Sequence, residues 1–251
     1  MKAALITLFF MSFFSRLFGA PEPAPKKPAP QPPAEAASQE ALDRMIRFTA
    51  FLKAQGVPTL ESLPCIEDSA TSKIRSPRII AERLVGCIIA AVGGETGDKA
   101  LVAQATKDFD ADKLFTPKER EFLTSQLEVQ QQRVQFSWQY ERAWVLLWAL
   151  GYIERLDFPP SISDVPKLVG YVRGKSVDDL VKNAKPRSQK ELLDEADLIY
   201  RLHWAVVEER VNKTIKVPVQ VEKGVVQERH HALNWLIGYL DQDWDDVTTD
   251  T

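Results

Sequence analysis

Three histidines and a set of carboxylates carry whatever acid–base or metal chemistry this sequence of 251 residues could perform. His203, His230 and His231 are the only histidines, with Asp197 and Glu228 close to them in sequence. Asp241, Asp243, Asp245, Asp246 and Asp250 follow in an acidic tail. Histidine supplies a ligand or a proton shuttle near neutral pH, and carboxylates complete a hydrolytic site or tune the ring. The candidate catalytic residues are therefore Asp197, His203, Glu228, His230 and His231. The candidate metal ligands are Glu228, His231, Asp245 and Asp246.

The spacing argues on both sides. On a helix, Glu228, His231 and Trp235 share one face and His230 shares another with Asn234. Adjacent histidines diverge by about 100° around a helix, so they do not readily hold one ion. No His-Glu-x-x-His stands in the chain. The competing expectation makes His203 and His230 hydrogen-bonded core residues on apolar stripes. Asp241, Asp243 and Asp245 imitate the start of a calcium loop, but Asp246 occupies the position where the sharp turn needs glycine. The closing bidentate acid would fall past Thr251, so calcium is not expected. The remaining reading of the tail is architectural: Trp244 folds back on the helices, and the aspartates meet arginines such as Arg201, Arg210 and Arg229 or face solvent. Asp197 and Arg201 form a ready ion pair at i and i+4, worth a few tenths of a kcal/mol if exposed.

The elements that must position these residues read as helices. Ser38 caps one whose Leu42, Met45, Ile46, Thr49 and Leu52 share a face, closing at Gly56. Ser76-Pro77 opens a second that runs to Gly93-Gly94. Thr116-Pro-Lys-Glu119 is a capping box, which makes Glu119 structural. Residues 134–156 are rich in apolar and aromatic residues and predict one central buried helix ended by Pro159-Pro160. Short helices follow at Pro166–Arg173 and Val177–Ala184. Ser188-Gln-Lys-Glu191 opens a long one to Val211, with Leu192, Ala196, Ile199, His203 and Val206 as its stripe. Val217–Val221 is the one strand-like piece, and its proline confines it to an edge or an extended loop. The last helix starts at Gly224. The expected fold is all-α, a single multi-helix domain over 38–251.

Composition is that of a globular protein, with 45% hydrophobic and 27% charged residues. A net charge of −3 argues against nucleic acid, as do two small basic clusters, Lys182 to Lys190 and Lys73 to Arg83, without interleaved aromatics. Cys65 and Cys87 lack metal or redox spacing and read as free thiols. No cofactor motif is present. Residues 1–20 resemble a signal peptide, too short for a transmembrane helix and poor at the cleavage position. Alternatively the chain starts at Met11, and residues 11–18 form a short helix able to touch a membrane surface or a protein partner. That reading makes the protein cytoplasmic, the other exported. Residues 21–37 are a Pro/Ala-rich disordered linker.

Several stretches resemble a bacterial family catalogued as domain of unknown function 4272. They are Trp138-Gln-Tyr-Glu-Arg-Ala-Trp-Val-Leu-Leu-Trp-Ala-Leu-Gly151, Asp197-Leu-Ile-Tyr-Arg-Leu-His-Trp-Ala205, Glu228-Arg-His-His-Ala-Leu-Asn-Trp-Leu236 and Trp244-Asp-Asp-Val-Thr-Thr-Asp-Thr251. Arg75 to Arg83 and Phe115 to Leu123 fit more loosely, so the resemblance spans about residues 75–251. It implies one all-helical domain and brings no activity, cofactor or catalytic residue. With no complete catalytic constellation, the leading expectation is a non-enzymatic interaction or structural module. The alternative is a metal-binding or acid–base hydrolase-like enzyme built on the C-terminal His, Asp and Glu residues.

Overall fold

A computed structural model describes residues 37–159 and 161–251. The signal-like segment, the membrane-contact helix expected at 11–18 and nearly all of the linker lie outside the described residues. Every regular element among the described residues is helical.

Helix α1 (Gln39–Ala54) begins where Ser38 Oγ accepts a hydrogen bond from Ala41 N, filling one of the donors a helix start leaves open. Its buried side is Ala41, Arg44 and Leu52, and Ile46, expected on that side, is 60% exposed. Arg44 earns its inward place by donating to the Glu67 carbonyl and to Glu40. Helix α2 (Pro77–Thr96) opens at Ser76-Pro77 but does not stop at Gly93-Gly94. It continues to the left-handed Gly97. A Cβ on Gly94 would lie 2.5 Å from Ser137 N and 2.6 Å from the Arg133 carbonyl oxygen, so that glycine lets two backbones approach rather than ending the helix.

Asp98 caps α3 (Lys99–Asp108), and the Thr116–Glu119 capping box opens α4 (Pro117–Glu121), which relaxes into a π-helical turn. The single helix expected over 134–156 is instead two, α5 (Gln130–Ser137) and α6 (Gln139–Ala149), meeting at Trp138. Gly151, with φ +79°, turns the chain well before Pro159. Helices α7 (Val165–Val172) and α8 (Val177–Lys182) are capped by Asp164 and Ser176. Helix α9 (Gln189–Val211) starts from the Ser188–Glu191 capping box and ends at Asn212, where the sequence placed it. Residues 217–221 form a turn rather than a strand, closed by Val221 N donating to the Pro218 carbonyl at 3.0 Å; Val217 and Val221 are buried while Val219 is wholly exposed. Helix α10 (Lys223–Ile237) follows, with 3₁₀ turns at Tyr239–Asp241 and Trp244–Asp246.

Helix α2 sits centrally, against α3, α5, α6 and α8; α6 then packs on α10, α10 on α9, and α9 on α1. This chain of contacts buries α10 on nearly every side, from Val225 to Ile237 with only Gln227 less covered. No helix among the described residues is long and apolar enough to cross a membrane.

Candidate functional site

The α9–α10 crossing joins two of the three histidines. His203 Nδ1 and His230 Nδ1 lie 2.8 Å apart, with rings edge to face at 5.0 Å. Two facing ring nitrogens make one hydrogen bond only if one is protonated and the other is not, so when both rings are neutral they are opposite tautomers. Burial depresses both: His203 falls to about 4, and His230 well below its ordinary value, with His203 adding to the effect. A proton acceptor held so low is poorly matched to catalysis at neutral pH.

His231 points elsewhere. Its Nε2 lies 3.3 Å from Arg142 Nη1, and Arg142 Nε donates to Glu228. A guanidinium only donates, so His231 Nε2 is unprotonated. The shared face of Glu228 and His231 is thus real, and Arg142 of α6 occupies it. Burial, then Arg142, holds His231 well below its ordinary pKa.

Beside this cluster the tail folds back. Trp244 is 4% exposed and meets His231 and Trp235 edge to face at 4.9 and 5.0 Å. The guanidinium carbons of Arg83 and Arg142 stand 5.2 and 5.9 Å from its ring centre, favourable placements for a cation over an aromatic face. Asn234 Nδ2 donates to the Thr248 carbonyl at 2.9 Å. Asp245 accepts from Lys118 N at 2.9 Å, and Lys118 Nζ donates to the Asp245 carbonyl, so the tail caps α4 from outside. Arg75 closes the end of α10 by donating to the carbonyls of Trp235 and Gln242 at 3.1 and 3.0 Å.

The partners expected for the tail acids are therefore different ones. Asp241 pairs with Lys73, whereas Arg201 holds Asp197 through two 2.8 Å bonds and Arg229 donates to the Asp157 carbonyl. Nor is the Asp197–Arg201 pair exposed: Asp197 is 0% and Arg201 3% accessible. Burial raises the Asp197 carboxyl while Arg201 draws it back down. Losing either partner would strand a charge in the interior, at about 3–5 kcal/mol rather than a few tenths. Asp197, the histidine pair, and the Arg142–Glu228–His231 triplet hence stand in three separate hydrogen-bonded settings. No group of three or more His, Cys, Asp or Glu among the described residues is arranged to hold a metal ion. Both cysteines are free, and burial pushes Cys87 up to about 12, which leaves its thiol inert.

Several buried polar contacts are not marked in the sequence. Arg142 was hidden in an apolar helix. Glu119 not only closes its capping box but also receives Arg83 in a buried ion pair. Buried Glu141 accepts from Ser163 N and Oγ at 2.6 and 2.9 Å. Glu195 lines a cavity of about 100 Å³ among Phe51, Leu156, Phe158, Leu198 and Leu202. It falls between Leu192 and Ile199 on the α9 stripe, the signal that could have found it. Burial lifts its carboxyl to about 7, although Arg229 pulls the other way.

A family model described as Domain of unknown function (DUF4272) matches residues 44–247. The match begins inside α1 and runs through the Trp244 turn. Neither the curated proteins nor the solved structures yield a match.

Proposed function

The chain belongs to this family of unknown function, and from that premise we propose that it is a non-enzymatic interaction module, a helical scaffold whose C-terminal helix and tail act as a latch. One observation carries the reading. The groups best suited to chemistry are spent on structural partners in separate buried settings: His203 on His230, Glu228 and His231 on Arg142, Asp197 on Arg201. A catalytic constellation would need them to converge on a common accessible point. The latch reading also accounts for Trp244, Asn234 and Arg75, which the hydrolase alternative leaves unused.

Metal analysis of the full chain purified without chelator tests it, with wild type beside His231→Ala. The interaction-module reading expects well under one equivalent of metal in both, and a lower melting temperature in the variant. Stoichiometric zinc or manganese, lost on His231→Ala, would overturn it in favour of a metal-dependent enzyme.

We further place the chain in the cytoplasm, with residues 11–18 as a peripheral membrane or partner contact. The free thiols Cys65 and Cys87 suit a reducing compartment. Mass spectrometry of the mature N-terminus checks this, and cleavage near residue 20 would refute it.

A further inference from the structure

The N-terminal residues outside the domain carry an apolar cluster, and the domain carries an apolar cavity within their reach. The cavity, of about 100 Å³, is walled by Phe51, Leu156, Phe158 and Leu198 and backed by the buried Ile199 and Leu202. Glu195 is the one ionisable side chain on its lining. Phe51, in the last turn of α1, is 41% exposed at the rim and meets Phe158 edge to face at 6.2 Å. An exposed aromatic beside an apolar cavity makes a groove of the kind that receives the anchor side chains of an apolar segment.

The chain itself supplies such a segment. Phe14, Leu17 and Phe18 stand at i, i+3 and i+4, with Phe13 beside them. The chain enters α1 at its cap, Ser38, and Phe51 stands near the far end of the same helix. The two are about 20 Å apart along the helix at its rise of about 1.5 Å per residue. Residues 19–37 can bridge up to about 65 Å, so the segment reaches the cavity with length to spare. A tether holds its end at an effective concentration on the order of 1 mM. A contact with a dissociation constant of that size is then half populated within one chain, whereas a second copy or a free partner must supply the concentration itself.

We propose that residues 11–18 dock in this groove within the same chain. The side chains of Phe14, Leu17 and Phe18 lie against Phe51 and Phe158, and one of them enters the cavity. The proposal rests on the reading that this segment stays on the chain, and it adds regulation to that reading. The contact offered to a membrane surface or a partner is withheld while the segment is docked. Either must compete with the groove, and the released state exposes both the segment and Phe51.

Methyl NMR spectra of the full chain test it, beside those of a chain with Phe13, Phe14, Leu17 and Phe18 all replaced by serine. Mass spectrometry of both confirms an intact N-terminus, so that cleavage of the segment is not mistaken for failure to dock. The Leu198 and Leu202 methyl signals should differ between the two chains, because the aromatic rings reach them only in the docked state. A synthetic peptide of residues 11–18 added to the serine variant should restore the original positions, with a dissociation constant of about 1 mM or tighter. Phe51→Ser, a change at an exposed position, should abolish the difference. Identical Leu198 and Leu202 signals in the two intact chains would overturn the proposal. So would a difference that survives Phe51→Ser, or one that grows with protein concentration, which would make a second copy the occupant.

Discussion

Replacing Glu195 by Gln should make the protein more stable at pH 8 and leave it little changed at pH 4.5. The carboxyl moves from an ordinary 4.5 to about 7 because burial among Phe51, Leu156, Phe158 and Leu198 strips its water, an effect that Arg229 offsets only in part. Below 4.5 the group is protonated in both folded and unfolded chains, and the folded state bears no penalty. Between 4.5 and 7 the unfolded chain releases its proton while the folded chain keeps it, so stability falls as pH rises. Above 7 the loss is complete. The full shift corresponds to roughly 3 kcal/mol. Partial access to water makes that an upper bound. For a domain of this size each kcal/mol moves the melting temperature by about 2–4 °C. Calorimetry of wild type and Glu195→Gln should therefore diverge from near coincidence at pH 4.5 to a gap of up to about 10 °C at pH 8, with the variant higher. A gap independent of pH, or a variant that melts lower at pH 8, would refute the account of Glu195 as a carboxyl held against its charge.

Three further outcomes follow from the packing. Trp244→Ala should cost about 3–5 kcal/mol in urea denaturation, since the ring is buried between Arg83, Arg142, His231 and Trp235; a loss under about 1 kcal/mol would remove the latch. Gly94→Ala should destabilise by about 1–3 kcal/mol despite the better helix propensity of alanine, because its methyl meets the α5 backbone; a stabilised variant would refute that contact. At pH 7, ¹⁵N spectra should show His203 and His230 as opposite neutral tautomers, and the His203 contribution to stability should be lost as pH falls from 6.5 toward its folded value of about 4. Matching tautomers for the two rings would contradict the Nδ1–Nδ1 bond.

The sequence located helices well where local chemistry decides them. Ser38, Ser76, Thr116 and Ser188 cap the helices expected of them, because a cap involves only residues within one turn. Errors arose where a distant segment decides. Gly93-Gly94 looks like a terminator until α5 is seen against it. Ile46 fits an apolar stripe, yet Arg44 takes the inward position because Glu67, far along the chain, accepts its hydrogen bond. The candidate site shows the same division. Glu228 and His231 were placed on one face by helical geometry alone, and the pairing of His203 with His230 required only that both be core histidines. Arg142 was invisible as the partner of Glu228 and His231, and Arg75 and Lys118 as those of the tail, because nothing local marks which guanidinium or ammonium a tertiary fold will deliver.

The tail contacts also bear on the order of events during synthesis. Lys118 waits for Asp245, 127 residues later, and Arg75 for Gln242, 167 residues later. Closing loops of that length is slow and gains nothing until both ends meet. While the chain emerges, the start of α2 and the cap of α4 therefore lack their last partners, and Arg83 and Arg142 have no indole between them. Until Trp244 arrives, the nascent domain presents an apolar seam at this corner, where a chaperone or a second nascent chain would find purchase. Ribosome-stalled chains ending before the Trp244 turn should be the ones most readily cut by protease in α4 and α10.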